Sequence, residues 1–286
     1  MSMLGQRVAT AVVLLALLVP ALFARVNWPF DVLTLVLIGA AGWEWGRLNQ
    51  LRMGPSLGLG AGLALACVAA LLGGWSVQPP PAVWWLAAAV WVFGGAVALR
   101  SGPALWPQLP RLARLALGLA ALWAAWLAMS HARGMGINFI LSVFCLVWVA
   151  DIAAYFGGRR FGKRKLAPTI SPGKSWEGVY SGLAGVFILT LVWRALESRA
   201  GADSLSLYGR LVDHLGLLGG LAALAFLVGM SVVGDLMESL VKRAVGAKDS
   251  SQLLPGHGGV LDRIDALLPT LPLVMLLATW ASGGGA

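Results

Sequence analysis

A chain of 286 residues with 59% hydrophobic and 12% charged side chains and a mean hydropathy of +0.81 is too apolar for a soluble domain, where about half the residues are apolar and about a quarter charged. It reads as an integral membrane protein. The net charge of +9 is distributed as membrane topology rather than as a nucleic-acid face, and two cysteines exclude a disulfide-built scaffold.

Apolar runs near 8–24, 30–46, 57–74, 82–99, 112–130, 137–156, 178–195, 215–234 and 266–282 predict nine transmembrane helices, each close to the roughly 20 residues that cross a bilayer. The fold class is therefore all-α, a single polytopic membrane domain over 1–286, with N-terminal spans in 1–135 and polar segments carried by the spans of 136–286. The first run follows Arg7 as a signal peptide would, but its 17 residues exceed the usual apolar core of about 7–15, so it is read as an uncleaved span. Asp31 and Glu44 stand near span ends and read as interfacial acids. The Gly58-Leu59-Gly60-Ala61-Gly62 repeat suits close helix packing. Cys67 and Cys145 fall inside spans as packing residues, the Trp residues read as interfacial anchors, and His131 and His214 as loop residues.

Nine spans place 16 Lys and Arg residues on one side and 5 on the other. The positive-inside rule then puts the N-terminus in the cytoplasm and the C-terminus outside, with the 157–177 and 242–265 loops sharing the cytoplasmic face.

Two stretches carry chemistry. In the first, Asp151 closes an apolar span, a depth at which an ionisable group usually has a partner or a site to serve. Arg159, Arg160, Lys163, Arg164, Lys165 and Lys174 follow, as either a loop attracted to anionic headgroups or catalytic cations. In the second, residues 231–265 hold five of the chain's 12 acidic residues, Asp235, Glu238, Asp249, Asp262 and Asp265, interleaved with Lys242, Arg243, Lys248, His257 and Arg263. If the preceding apolar run continues as a helix, Asp235, Glu238, Ser239 and Lys242 fall at i, i+3, i+4 and i+7 on one face. The Pro255-Gly256-His257-Gly258-Gly259 run after it permits turns that bring backbone N–H groups to an anion.

The order Ser239-Leu240-Val241-Lys242-Arg243, Lys248-Asp249, Pro255-Gly256-His257-Gly258-Gly259-Val260-Leu261-Asp262-Arg263-Ile264-Asp265 resembles the signature of the phosphatidate cytidylyltransferases (CDP-diacylglycerol synthases). Ser171-Pro172-Gly173-Lys174-Ser175-Trp176-Glu177-Gly178 is similar to a second segment of that family, with Ser175 where Thr is frequent. The resemblance covers about 150–265; the first half matches only as a set of apolar spans.

The resemblance implies reaction of CTP with phosphatidate to give CDP-diacylglycerol and pyrophosphate, in a bacterial-type inner membrane. Asp235 and Asp262 are then the candidate ligands of Mg²⁺, which prefers hard oxygen donors, with Asp151, Glu238 and Asp265 as further candidates. Lys242, Arg243, Lys248, Asp249, His257 and Arg263 are the candidate catalytic residues. Ser171, Lys174, Ser175, Ser239, Gly258 and Gly259 are candidates for binding substrate. Glu238 and Asp265 read equally well as salt-bridge partners of Arg243 or Arg263, Asp249 as a turn residue, and Asp235 as the partner of Lys242 or of a lysine in another loop. Expected partners are CTP, phosphatidate and membrane lipid, with a homodimer and no nucleic acid. A CTP-dependent lipid kinase of the polyprenol type and a transporter are the alternative functions.

Overall fold

The computed structural model describes residues 3–281 and is almost wholly helical. Each predicted span coincides with a helix: α1 (Met3–Phe23), α2 (Trp28–Leu48), α3 (Met53–Leu72), α4 (Pro81–Ala89) running through a π-turn (Val90–Gly94) into α5 (Gly95–Ser101), α6 (Arg111–Met135), α7 (Ile137–Phe161), α8 (Trp176–Ala200), α9 (Leu207–Ala244) and, after the short α10 (Leu261–Ile264), α11 (Leu267–Ala281). Residue 282, the end of the ninth predicted span, lies outside the described residues. Among those described, seven helices are long and apolar enough to cross a membrane. The other two fall short for physical reasons. Helix α2 carries Asp31, Glu44 and Arg47 in its 21 residues, and α11 is 15 residues long.

Small residues set the closest helix pairs. Helices α2 and α3 touch where a Cβ on Gly60 would run into the carbonyl oxygen of Gly39, whereas Gly58 and Gly62 face open space. Of the predicted glycine repeat, one member makes the contact. On α8, Gly178 and Gly182 let α7 approach until a Cβ at either would lie 2.9 Å from the carbonyl oxygen of Ala154 or Ala150.

Polar groups tie the two ends of the bundle. At one end Arg133 donates to the Ala24 carbonyl (2.7 Å), His131 Nδ1 meets the Ser76 carbonyl (2.8 Å), and Asp203 accepts from the backbone N–H groups of Ile137 and Asn138 at the start of α7 (2.7 and 2.9 Å). His131 and His214 therefore lie on α6 and α9 rather than in loops. The opposite end gathers the start of α1, the end of α2, and the 161–176 and 242–265 segments. The two loops expected to share a face do share one end.

Three features depart from expectation. A hairpin of β1 (Lys165–Ala167) and β2 (Ser171–Ser175), paired Lys165 to Ser175 and Ala167 to Ser171, occupies what reads in sequence as a basic loop. Glu177 fastens it, accepting from the backbone N–H groups of Lys163 and Arg164 (3.0 and 3.1 Å) and from Arg164 Nε (3.2 Å). Helix α9 continues past 234 as the polar spacing requires, but it begins before the predicted 215 and is broken at Gly216 (φ 69°, ψ 172°), so residues 207–215 pack as a separate short helix with Leu207, Tyr208 and Leu211 buried. Finally, Trp45, Trp84, Trp91, Trp106 and Trp126 are core residues rather than interfacial anchors. Two of these indoles find acceptors, Trp126 on Thr34 Oγ1 (3.1 Å) and Trp45 on the Arg114 carbonyl (3.2 Å), which makes their burial affordable.

Candidate active site

Helix α9 presents the predicted polar face. Ser239 Oγ lies 3.3 Å from Asp235 Oδ1, and Lys242 Nζ donates to Glu238 Oε2 at 2.5 Å, each pair one turn apart as helical spacing requires. Lys242 also reaches Asp262 Oδ1 on the returning segment, at 2.6 Å. From the hairpin, Lys174 Nζ lies 2.6 Å from Asp235 Oδ2. Two ammonium groups thus join three segments distant in sequence. Asp235 pairs with Lys174, a lysine in another loop as the sequence allowed, whereas Glu238 pairs with Lys242 rather than with Arg243 or Arg263.

The glycine-rich loop closes the other side. Asp262 Oδ2 accepts from Ser250 N (2.9 Å), Ser250 Oγ (2.7 Å) and Gly259 N (2.8 Å). Gly258 holds φ 82°, and any side chain there would meet the Asp262 carboxylate. Arg7 Nε and Thr10 Oγ1 of α1 hold the carbonyls of Gly256 and Pro255 (3.1 and 2.9 Å).

Behind this loop stands a residue the sequence reading placed wrongly. Glu44 is fully buried, not interfacial. Its carboxylate accepts from Ser251 Oγ (2.6 Å), Val260 N (3.0 Å) and Leu261 N (2.8 Å). The signal available in sequence was helical register, since Ala41, Glu44 and Leu48 fall on one stripe whose other members are apolar and buried.

These segments enclose a cavity of about 650 Å³. Its wall includes Asp151, Arg159, Ser171, Lys174, Ser175, Asp235, Glu238, Lys242, Asp249, Asp262, Arg263 and Asp265, with Ala150, Val179, Val228 and Val232 as apolar neighbours. Other predicted site residues stand outside the wall. Ser239 lies behind Asp235; Gly258 and Gly259 lie behind Asp262. Arg243 and Lys248 are exposed, and Arg243, one residue past Lys242, is turned about 100° around the helix from it and reaches towards the Ala247 carbonyl (3.5 Å). His257 Nδ1 is buried without a hydrogen-bond partner among the described residues. Ser175, besides lining the cavity, caps α8 by accepting from Gly178 N at 3.2 Å.

Comparison with known proteins gives the family of the chain. The Cytidylyltransferase family profile matches residues 5–280. The chain belongs to the cytidylyltransferase family. It is 40% identical to the phosphatidate cytidylyltransferase of Pseudomonas aeruginosa in an alignment covering 99% of this chain and 100% of that protein. The phosphatidate cytidylyltransferases of Haemophilus influenzae and Brucella suis are similar over about half of each chain: 48% identical over 50% of this chain and 46% of the relative for the first, 42% over 52% and 51% for the second.

The electrostatics of this cytidylyltransferase site follow from its hydrogen bonds. Burial opposes ionisation of Asp262, but the bonds from Lys242, Gly259 N and Ser250 outweigh it and hold the carboxyl at about 2. Asp265 is the reverse case. Burial and then the nearby Asp235 carboxylate push its carboxyl well above the usual range, since an apolar surround and a neighbouring acid both disfavour the charged form. Among the described residues no group of three or more His, Cys, Asp or Glu side chains is assembled as a metal cage. Lys174 stands on Asp235, and Lys242 on Glu238 and Asp262. This donor set still fits Mg²⁺, which is commonly held by one or two carboxylates and completed by waters and substrate phosphates.

Proposed function

We propose that this cytidylyltransferase transfers the cytidylyl group of CTP to phosphatidate, forming CDP-diacylglycerol and pyrophosphate. The observation that carries the reading is the convergence of the Lys174 and Lys242 ammonium groups with Asp235 and Asp262 on one cavity whose wall also includes apolar residues of α7, α8 and α9. Such a cavity suits a polyanionic head attached to a lipid. The charges collect at one end of the bundle, unlike the midplane sites of a transporter.

In the proposed reaction an oxygen of the lipid phosphate monoester bonds to the α-phosphorus of CTP. The bond from that phosphorus to the oxygen bridging to the β-phosphate breaks, and the electron pair leaves on pyrophosphate. The monoester has a second pKa of about 6, so the attacking oxygen is already largely ionised at neutral pH and no general base is required. The remaining task is to relieve repulsion between two anions and to stabilise the leaving group. Lys174, Lys242, Arg159 and Arg263 supply positive charge on the cavity wall. Asp235 and Asp262 would hold Mg²⁺, with Asp265 beside them, as the lysines turn to phosphate. When bound, the ion would neutralise phosphate oxygens and stabilise the departing pyrophosphate.

The test uses purified protein, phosphatidate in mixed micelles, and CTP labelled at the α- or the γ-phosphate. Label from the α-position is expected in lipid, and label from the γ-position in pyrophosphate. Lipid carrying γ-label would instead identify a CTP-dependent lipid kinase, and no lipid-dependent turnover of CTP would favour a transporter.

A further inference from the structure

We infer that Glu44 is a positioning residue for the reaction, setting from the N-terminal half of the chain the place of Asp262 and Lys242 in the cavity. This deepens the proposed function and rests on it. Glu44 lies on α2, 0% exposed, and contacts residues 206 to 217 positions away. Its Oε1 accepts from Ser251 Oγ and Val260 N, and its Oε2 from Leu261 N. Ser250 Oγ stands between two carboxylates, 2.7 Å from Asp262 Oδ2 and 3.3 Å from Glu44 Oε2. Its single hydrogen serves the shorter contact, and Asp262 in turn holds Lys242. Glu44, the 250–261 loop, Asp262 and Lys242 therefore form one continuous polar chain ending at the cavity wall.

The backbone is shaped to this anchor. A Cβ on Gly259 would collide with Ser250 Oγ and with Glu44 Oε1, so glycine there is what lets the carboxylate reach the loop. A carboxylate is also the group these partners demand, because it only accepts. Val260 N and Leu261 N sit on different oxygens. In Glu44→Gln, whichever way the amide is turned, an NH₂ group faces a buried backbone N–H.

The test compares wild type, Glu44→Gln, Gly259→Ala and Ser251→Ala in the full-length detergent-purified protein. Steady-state kinetics are measured for CTP and phosphatidate, with the folded fraction read from the size-exclusion peak and tryptic cleavage at Lys248 followed in parallel. Glu44→Gln and Gly259→Ala are expected to lower kcat per folded molecule by about 100-fold, the scale of a displacement of about 1 Å at a reacting centre. KM for the lipid should stay unchanged and cleavage at Lys248 should accelerate. Ser251→Ala, which removes one donor and leaves Asp262 untouched, should fall between them and wild type. Wild-type kcat per folded molecule in Glu44→Gln would overturn the inference, as would a loss of activity that only tracks the loss of folded protein. Should wild type itself turn over no CTP, the reading of function fails; the cleavage rates then decide the anchor, and equal rates in Glu44→Gln and wild type overturn it.

Discussion

Lys174 and Lys242 hold Asp235 and Asp262 by bonds of 2.6 Å each, so the carboxylates proposed for the metal are already organised by cations of the protein itself. Replacing Asp235 or Asp262 by Asn keeps the shape and removes the charge. Changes to groups one step removed from a metal cost about 10–100-fold in affinity or activity, and loss of a ligand is expected to exceed that. Asp235→Asn and Asp262→Asn should each abolish most turnover, with the double variant little worse than either because they act as one unit. Turnover at limiting Mg²⁺ checks this. A single variant with near-normal activity there would remove its residue from the ligand set and move the role to Asp265. These residues were legible in sequence because i, i+3, i+4 and i+7 spacing is local and the signature order is dense. Glu44 was not, because its partners lie more than 200 residues away and an acid near the end of an apolar run looks interfacial until the loop is folded over it.

The helices themselves were legible from apolar runs alone, since each element must bury its own backbone polar groups to cross a bilayer. The hairpin at 165–175 was hidden because short strands held by backbone pairing and by Glu177 leave no periodicity in a basic segment. The extension of α9 was hidden because its first turns lie before Gly216, in a mixed polar and apolar run ending at Asp213 and His214. Helix packing was legible only as a tendency; which glycine matters depends on the neighbour. Gly60 meets backbone across the α2–α3 contact, while Gly58 and Gly62 meet nothing within 4 Å. Gly60→Ala is therefore expected to destabilise by about 1–3 kcal/mol, the usual cost of overpacking a close contact. Gly58→Ala and Gly62→Ala should leave the thermal midpoint in detergent at or above wild type. Equal effects at all three positions would mean that the α2–α3 approach is not set at Gly60.

At the scale of the whole molecule, the two polar loops, the end of α2 and the start of α1 meet at one end, Arg7 and Thr10 reaching the carbonyls of Gly256 and Pro255. The opposite end is fastened by Asp203, Arg133 and His131. The site end carries most of the 16 basic residues that the nine-span count assigns to one side, against 5 on the other. We therefore predict that the site end is cytoplasmic, where CTP is available, and that an odd number of crossings leaves the C-terminus outside. Met1 and Ala286 lie outside the described residues, and fusions at these two positions test the prediction. A tag before Met1 should be shielded from protease added outside intact cells, and a reporter that works only outside the cytoplasm should be active after Ala286. If both ends prove to lie on one side, the number of crossings is even, and either α2, with its buried Glu44, or the 15-residue α11 does not span the membrane.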